Sequence, residues 1–333
     1  MTAGSAVTIS GISVELSHAD KVFFPDSGIT KGDLVGYYRD MAGRMLPYLR
    51  DRPLVMARYP EGITGERIFQ KNVPRYFPDW ITRTKVKKQD GTLLQVVADK
   101  PATLVYLANQ ACIEMHCFLS RVGALDRPDQ VVFDLDPPDD HRFADVKHLA
   151  LRLRELLEDE LGLTAFVKTT GGRGVHVHVP LSARDDFDTA RRFARQASEV
   201  LAAREPDRLT VEQRKDGRGD RVYSDVMRNA YAQTVVAPYT VRARPGARVA
   251  TPLRWEELED PDLTPGRFTL RTIGERLDQL GRSDPWAGLT RHRIHLLAGI
   301  GRSALDRILS TTATDGPVLD HSWAMSRAIW RRR

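Results

Sequence analysis

The chain has 333 residues, of which 41% are hydrophobic and 28% charged, and carries a formal net charge of +6. This is the composition of a folded domain with a substantial core, which excludes a disordered or coiled-coil chain. No apolar run approaches the ~18 residues of a membrane span and no signal-peptide core is present, so a cytoplasmic protein with no membrane partner is expected. Basic residues clump at 83–88 and 327–333, which favours a polyanionic partner, although a solvated basic face explains either cluster alone.

In chain order, residues 14–25 are strand-like and end in a turn. Thr30-Lys-Gly-Asp33 has the form of a helix cap with an acid three residues on, and the helix it opens carries Leu34, Tyr37, Tyr38, Met41 and Met45 at a 3.6-residue period as far as Pro47. Lys21 and Lys31 bracket that turn, where a helix start favours an anion; solubility is the plainer explanation. Residues 52–59, with Arg58, read as a strand. Beyond a glycine turn, Ile68-Phe-Gln-Lys71 sets an aromatic beside a base, which suits nucleobase stacking or, for Phe69, simple core packing. Residues 103–117 have helical spacing (Leu104, Leu107, Ala111, Met115) and bring His116 to the helix end. Cys112, His116 and Cys117 lack a fourth ligand at zinc spacing, so buried reduced thiols are expected.

Residues 131–138, Val-Val-Phe-Asp-Leu-Asp-Pro-Pro, read as a buried strand and its exit. Alternation puts Val132, Asp134 and Asp136 on one face and Val131, Phe133 and Leu135 on the other. Two neighbouring acids repel and resist desolvation; a divalent cation relieves both problems, and so does a strand end that reaches solvent. An amphipathic helix over 143–161, stopped by Gly162, leads to a strand over 165–169. In Thr169-Thr-Gly-Gly-Arg-Gly-Val-His-Val-His-Val-Pro180, the glycines allow a tight turn with outward N–H groups, a shape suited to phosphate. His176 and His178 then share one strand face: His176 is expected to meet phosphate or metal-bound water, His178 to be structural. A second amphipathic helix covers 187–203. Residues 222–229 bring Asp225 onto an apolar strand with Arg228 available to pair with it. Residues 234–244 read as an alternating strand on which Arg242 and Arg244 share a face and can clamp a triphosphate. A connecting segment containing a short helix at 255–258 follows, then a helical, basic extension from Trp286.

The order of these pieces carries more than any one of them. Three carboxylates can hold two divalent ions, and the glycine turn, His176 and the arginines can hold the remaining phosphates. The chain resembles the polymerase domain of bacterial DNA ligase D, in the archaeo-eukaryotic primase superfamily. The shared motifs are Asp20-Lys-Val-Phe-Phe-Pro25 with Thr30-Lys31, Phe69-Gln-Lys71, Glu114-Met-His116, Phe133-Asp-Leu-Asp-Pro137, Gly171-Gly-Arg-Gly-Val-His176, Asp225 with Arg228-Asn229, and Gln233 through Gly246. Thr170 stands where the family usually has Ser, and Ile68 where a second aromatic often precedes Phe69.

The resemblance implies an α/β (α+β) primase-polymerase fold, with a central mixed or antiparallel catalytic sheet flanked by helices and a smaller N-terminal sheet. It implies an N-terminal module (1–120), a catalytic core (121–260) and a C-terminal extension (261–333). The implied activity is template-directed nucleotidyl transfer in gap filling and non-homologous end joining, with manganese or magnesium as cofactor, NTP or dNTP as substrate, and a ribonucleotide preference. Asp134, Asp136 and Asp225 would be the catalytic metal ligands. Arg58, Lys71, His116, Thr170, Gly171, Gly172, Arg173, His176, Arg242 and Arg244 would contact the nucleotide. Lys21 and Lys31 would grip a 5′-phosphate, and Phe69 would stack at the template base. Expected partners are gapped or broken DNA, a separate DNA ligase, because no ligase segment is recognised, and the Ku end-binding protein; nucleoid association follows. The same carboxylates can also activate water in a two-metal nuclease, and a non-catalytic sensor of DNA ends would need only Lys21, Lys31 and Phe69.

Overall fold

The computed structural model describes residues 6–296 and is built on two six-stranded sheets. In the N-terminal sheet, Thr234–Val236, Cys112–Phe118, Pro53–Arg58, Gly91–Val97 and Arg83–Lys88 lie side by side, and Ile68–Gln70 also pairs with Pro53–Arg58. In the central sheet the order is Leu209–Thr210, Val222–Ser224, Gln130–Asp136, Val175–Pro180, Phe166–Thr169 and Pro252–Leu253. Its pairings are antiparallel except for the parallel pair of Leu209–Thr210 with Val222–Ser224, so the sheet is mixed. The two sheets are equal in strand number because Thr234–Val236, late in the chain, returns to pair with Cys112–Phe118.

Helix α1 (Lys31–Leu49) starts as its sequence requires. Thr30 Oγ1 accepts from the Asp33 N–H, and Asp33 Oδ2 accepts from the Thr30 N–H, which closes a reciprocal cap. Leu34, Tyr37, Tyr38, Met41 and Met45 are all buried, and the helix runs past Pro47 to Leu49. With α2 (Pro101–Asn109) it packs into the core of the N-terminal sheet. Helices α3 (Phe143–Glu155, extended by a wider turn over Leu156–Glu160) and α4 (Phe187–Arg204) belong to a second core with the central sheet. A short α5 (Ile273–Leu280) follows. The two faces of the Gln130–Asp136 strand are divided as its alternation requires. Val131, Phe133 and Leu135 enter the α3/α4 core, whereas Val132 enters the core shared with the N-terminal sheet. The acid face therefore looks towards the N-terminal sheet.

Four segments depart from their sequence reading. Residues 103–117 are not one helix: α2 stops at Asn109, Ala111 takes a left-handed backbone (φ 61°), and Cys112–Phe118 is a strand flanked on both sides. A buried apolar run fits either period, and sheet pairing decided it. Residues 234–244 form a strand only over Thr234–Val236; Pro238 has no N–H to give a ladder, and Tyr239 turns left-handed (φ 62°). Asp225 lies one residue past Val222–Ser224 and caps the short turn Val226–Asn229. Beyond Trp286, residues 286–295 are turns and a bridge rather than helix. The remainder of the expected extension lies outside the described residues.

The turn carrying Asp225 is tied to the acid strand by a fully buried amide. Asn229 Oδ1 accepts from the Val132 N–H (2.8 Å) and its Nδ2 donates to the Val132 carbonyl (2.7 Å), as a neighbouring strand would. Asn229→Ala leaves both buried backbone groups unpaired and is expected to cost about 2 kcal/mol or more, read from the midpoint of denaturant unfolding.

Candidate active site

The site begins with the charge problem on the acid strand. Asp134 sits opposite His176 on the adjacent strand, and His176 sits opposite Lys168 on the next, so a row of titratable groups crosses the central sheet. His176 Nε2 lies 3.3 Å from Asp134 Oδ1, and Arg228 Nε lies 3.2 Å from Asp134 Oδ2. Burial opposes ionisation of Asp134, but these two neighbours outweigh it and hold its pKa at about 2. At Asp136 burial and then repulsion from Asp134 outweigh the pull of Arg173, Arg218 and Arg228 and push its pKa up. The neighbouring carboxylates are thereby driven apart in proton affinity.

Asp225 joins them through the backbone and through Arg228. Its N–H donates to the Asp134 carbonyl (2.9 Å), and its Oδ2 is 3.1 Å from the same Arg228 Nε. Burial raises the Asp225 pKa against the pull of Arg228. All three carboxylates in turn raise the pKa of Arg228. Aspartates far apart in sequence thus meet around one guanidinium.

The glycine turn lies beside them. Gly174 must be glycine because a Cβ there would run into the Leu135 carbonyl of the acid strand, and Gly171 has φ 63° with Arg242 Cγ 2.8 Å from where its Cβ would stand. Thr170 Oγ1 donates to the Gly174 carbonyl (3.0 Å) and accepts from the Gly172 N–H (3.2 Å), so the hydroxyl shapes the turn. Arg173 donates to the Pro138 carbonyl (2.7 Å), linking the turn to the exit of the acid strand. Arg242 donates to the Thr170 carbonyl (2.7 Å) and pairs with Glu114 at 3.1 Å. Glu114 also meets His116 Nε2 at 3.1 Å, and the His116 ring lies edge-on to Phe69 with centroids 5.5 Å apart. Burial lowers the His116 pKa, and Arg242 and Arg228 add to that. A continuous wall therefore runs from exposed Phe69 to the glycine turn, with one end on each sheet.

The remaining expected residues have partners of their own or stand exposed. Arg58 donates to the Gln110 carbonyl (2.7 Å), Gln70 Oε1 (2.7 Å) and the Tyr76 hydroxyl (3.1 Å), away from the carboxylates. Lys71 and Arg244 are exposed; Arg244 does not share a strand face with Arg242, because no strand forms there. Lys21 pairs with Glu61 at 2.6 Å. Lys31 is buried with its amine on the Ser17 carbonyl and hydroxyl, and burial followed by the charge of Lys21 lowers its pKa to about 8. His178 is fully enclosed, bonded to Gln130 (2.7 Å) and packed 4.7 Å from the Trp286 ring, as a structural residue would be. Cys112 and Cys117 are free, buried thiols.

Three contributors were missed. Glu114 holds His116 and Arg242 together; its signal was Glu-x-His, which alternation on a strand would have placed on one face. Lys168 is fully buried with no hydrogen-bond partner for Nζ, and burial and then Arg242 lower its pKa to about 7. A lysine inside Phe166–Thr169 was the visible clue. Arg248 donates to the Gly172 carbonyl (3.1 Å) and carried no local signal.

The donor set suits a hard divalent cation: three carboxylates, with a guanidinium standing among them as positive charge. As the side chains stand, no group of three or more His, Cys, Asp and Glu among the described residues is arranged to hold an ion. No helix among those residues is long and apolar enough to cross a membrane.

Comparison with known proteins identifies the family. The family model for the LigD primase-polymerase domain matches residues 30–286. The chain is 35% identical over 288 residues to the multifunctional non-homologous end joining protein LigD of Pseudomonas aeruginosa, covering 84% of this chain and 34% of that protein. It is 31% identical over 269 residues to the bifunctional non-homologous end joining protein LigD of Bacillus subtilis, covering 80% and 43%. The chain thus spans less than half the length of these relatives. The polymerase domain from Mycobacterium tuberculosis ligase D in complex with DNA superposes with a TM-score of 0.78 at 30% identity, over 84% of this chain and 99% of that one. With the family model matched over most of its length and its fold shared over 84% of its residues, the chain belongs to the LigD primase-polymerase domain family.

Proposed function

We propose that this chain is a template-directed nucleotidyltransferase that extends a primer strand across short gaps and at broken DNA ends during non-homologous end joining. The observation that carries this reading is the meeting of Asp134, Asp136 and Asp225 at the mouth of the glycine turn. A triphosphate cradle beside a carboxylate cluster favours transfer of a nucleotide over hydrolysis, because a hydrolase has no use for the cradle.

Asp134, Asp136 and Asp225 would hold two divalent ions, manganese or magnesium, which activate a 3′-hydroxyl and neutralise charge developing on the α-phosphate and the leaving pyrophosphate. The chain's own part is positional. The Gly171–Gly172 turn, with the Gly172 N–H held by Thr170 Oγ1, and the guanidinium of Arg242 would hold the phosphate tail together with Arg173 and His176. Glu114 fixes Arg242 and His116 in place by compensating both. Phe69, 43% exposed and with Arg67 5.7 Å from its ring centre, offers a stacking surface for a template base. Arg58 would contact a nucleotide only after leaving its present hydrogen bonds, whereas Lys71 and Arg244, both exposed, are free to contribute to nucleotide binding. Lys21, close enough to Lys31 to lower its pKa, supplies the charge for a 5′-phosphate. The partners that fit are gapped or broken DNA, a ligase that seals the product and the Ku end-binding protein, in the cytoplasm at the nucleoid.

Replacing Asp134 and Asp136 together with Asn should abolish extension of a labelled primer in manganese, while the far-UV spectrum and DNA affinity stay near those of the unaltered chain. Shortened primers would instead identify a nuclease, and tight binding without extension in any metal an end sensor. With both nucleotide types supplied, ribonucleotides should be incorporated at least as fast as deoxyribonucleotides; a strong opposite bias in single-turnover extension contradicts that preference. Affinity for gapped DNA should fall steeply with salt, and Lys21→Ala should reduce the slope of log K against log[salt] by about 1 and erase the preference for a 5′-phosphate.

A further inference from the structure

Arg228 was read from the sequence as a neighbour for Asp225, yet its position is shared. Its Nε lies 3.1 Å from Asp225 Oδ2 and 3.2 Å from Asp134 Oδ2. The remaining oxygen of each carboxylate is held by the scaffold. Asp134 Oδ1 faces His176, while Asp225 Oδ1 accepts from the Met227 N–H (3.1 Å) and the Tyr223 hydroxyl (3.4 Å). The two oxygens turned towards each other are therefore the two that Arg228 occupies. A cation held by these acids would compete with the guanidinium for them, and as the side chains stand no group among the described residues is arranged to hold an ion.

We propose that Arg228 is a built-in counter-cation that latches the ion-free site, and that a divalent ion binds by displacing it from Asp134 and Asp225. The inference rests on the polymerase reading and deepens it: Arg228 is a positioning residue that sets the ion concentration at which the site assembles. The side chain is placed for such an exchange. It is 41% exposed, and both contacts run through one nitrogen, so a single rotation releases both carboxylates. It rides on the same short turn that Asp225 caps and Asn229 pins to Val132, so its withdrawal requires no movement of the acids' backbone. Without a cation of either kind, the carboxylates would face one another half-buried, which is the state the latch prevents.

Direct binding of Mn2+ to the full chain, without nucleotide or DNA, tests this by electron paramagnetic resonance of free ion or by calorimetry. Because a site latched for nine-tenths of the time loses about tenfold in apparent affinity, Arg228→Gln should bind Mn2+ about tenfold more tightly than the unaltered chain. Arg228→Lys, which keeps the charge but not the reach of the fork, should tighten binding by a smaller factor and serves if the Gln variant does not fold. In thermal unfolding, Arg228→Gln should melt lower than the unaltered chain without ion and gain more from saturating Mn2+. A role confined to holding the turn together predicts weaker or unchanged binding, and either result in the folded variants overturns the latch. If the unaltered chain binds Mn2+ and Asp134→Asn with Asp225→Asn removes that binding, the catalytic reading survives whatever Arg228 does. If neither the unaltered chain nor Arg228→Gln binds Mn2+, both readings fall.

Discussion

Carboxylates carried side by side on a buried strand need positive charge within a few ångströms, and the architecture around them supplies it. His176 comes from the adjacent strand and Arg228 from the turn after Val222–Ser224, while Lys168, one strand further on, feels the charge of Asp134 as a weak upward pull on its pKa. Every one of these groups is itself costly to bury. Each is retained because it answers another, so the row is stable as a set and would be unstable in pieces.

The same reasoning explains why the acid face lies between two sheets rather than at a surface. Glu114 on the N-terminal sheet receives Arg242, which also grips the glycine turn of the central sheet. A second charge pair is more completely buried. Arg52, on the N-terminal sheet side, is 1% exposed and pairs with Asp129, whose carbonyl accepts from the Leu181 N–H. Breaking a buried pair of this sort costs about 3–5 kcal/mol, because the surviving charge has nowhere to go. Buried charge pairs thus join elements of the two halves at more than one point, and polar groups beside the acid face are a structural necessity.

Much of this was legible before any coordinates. The reciprocal cap of α1, the stripes of α3 and α4 and the two faces of the Gln130–Asp136 strand follow from local periodicity and sterics, and they are found where the sequence puts them. The glycines after Thr170 were legible too as a tight turn, and the close approach of the Leu135 carbonyl to Gly174 and of Arg242 to Gly171 is the reason glycine is needed there. Residues 103–117 were misread because a buried apolar run satisfies helix and strand alike. Arg244 was misplaced because Pro238 and Tyr239 end the strand before it.

What the sequence determined by itself is therefore local: which side chains share a face, where helices begin, which turns only glycine can make, and, through the order of the motifs, the family. Only the tertiary structure decided that Cys112–Phe118 joins a sheet, that Glu114 serves His116 and Arg242 together, and that Arg228 divides itself between Asp134 and Asp225. Those outcomes depend on pairings between residues distant in the chain. Periodicity along a chain describes the environment of one segment, whereas the sharing of a single guanidinium by two carboxylates is settled by which segments come to lie within about 3 Å of each other.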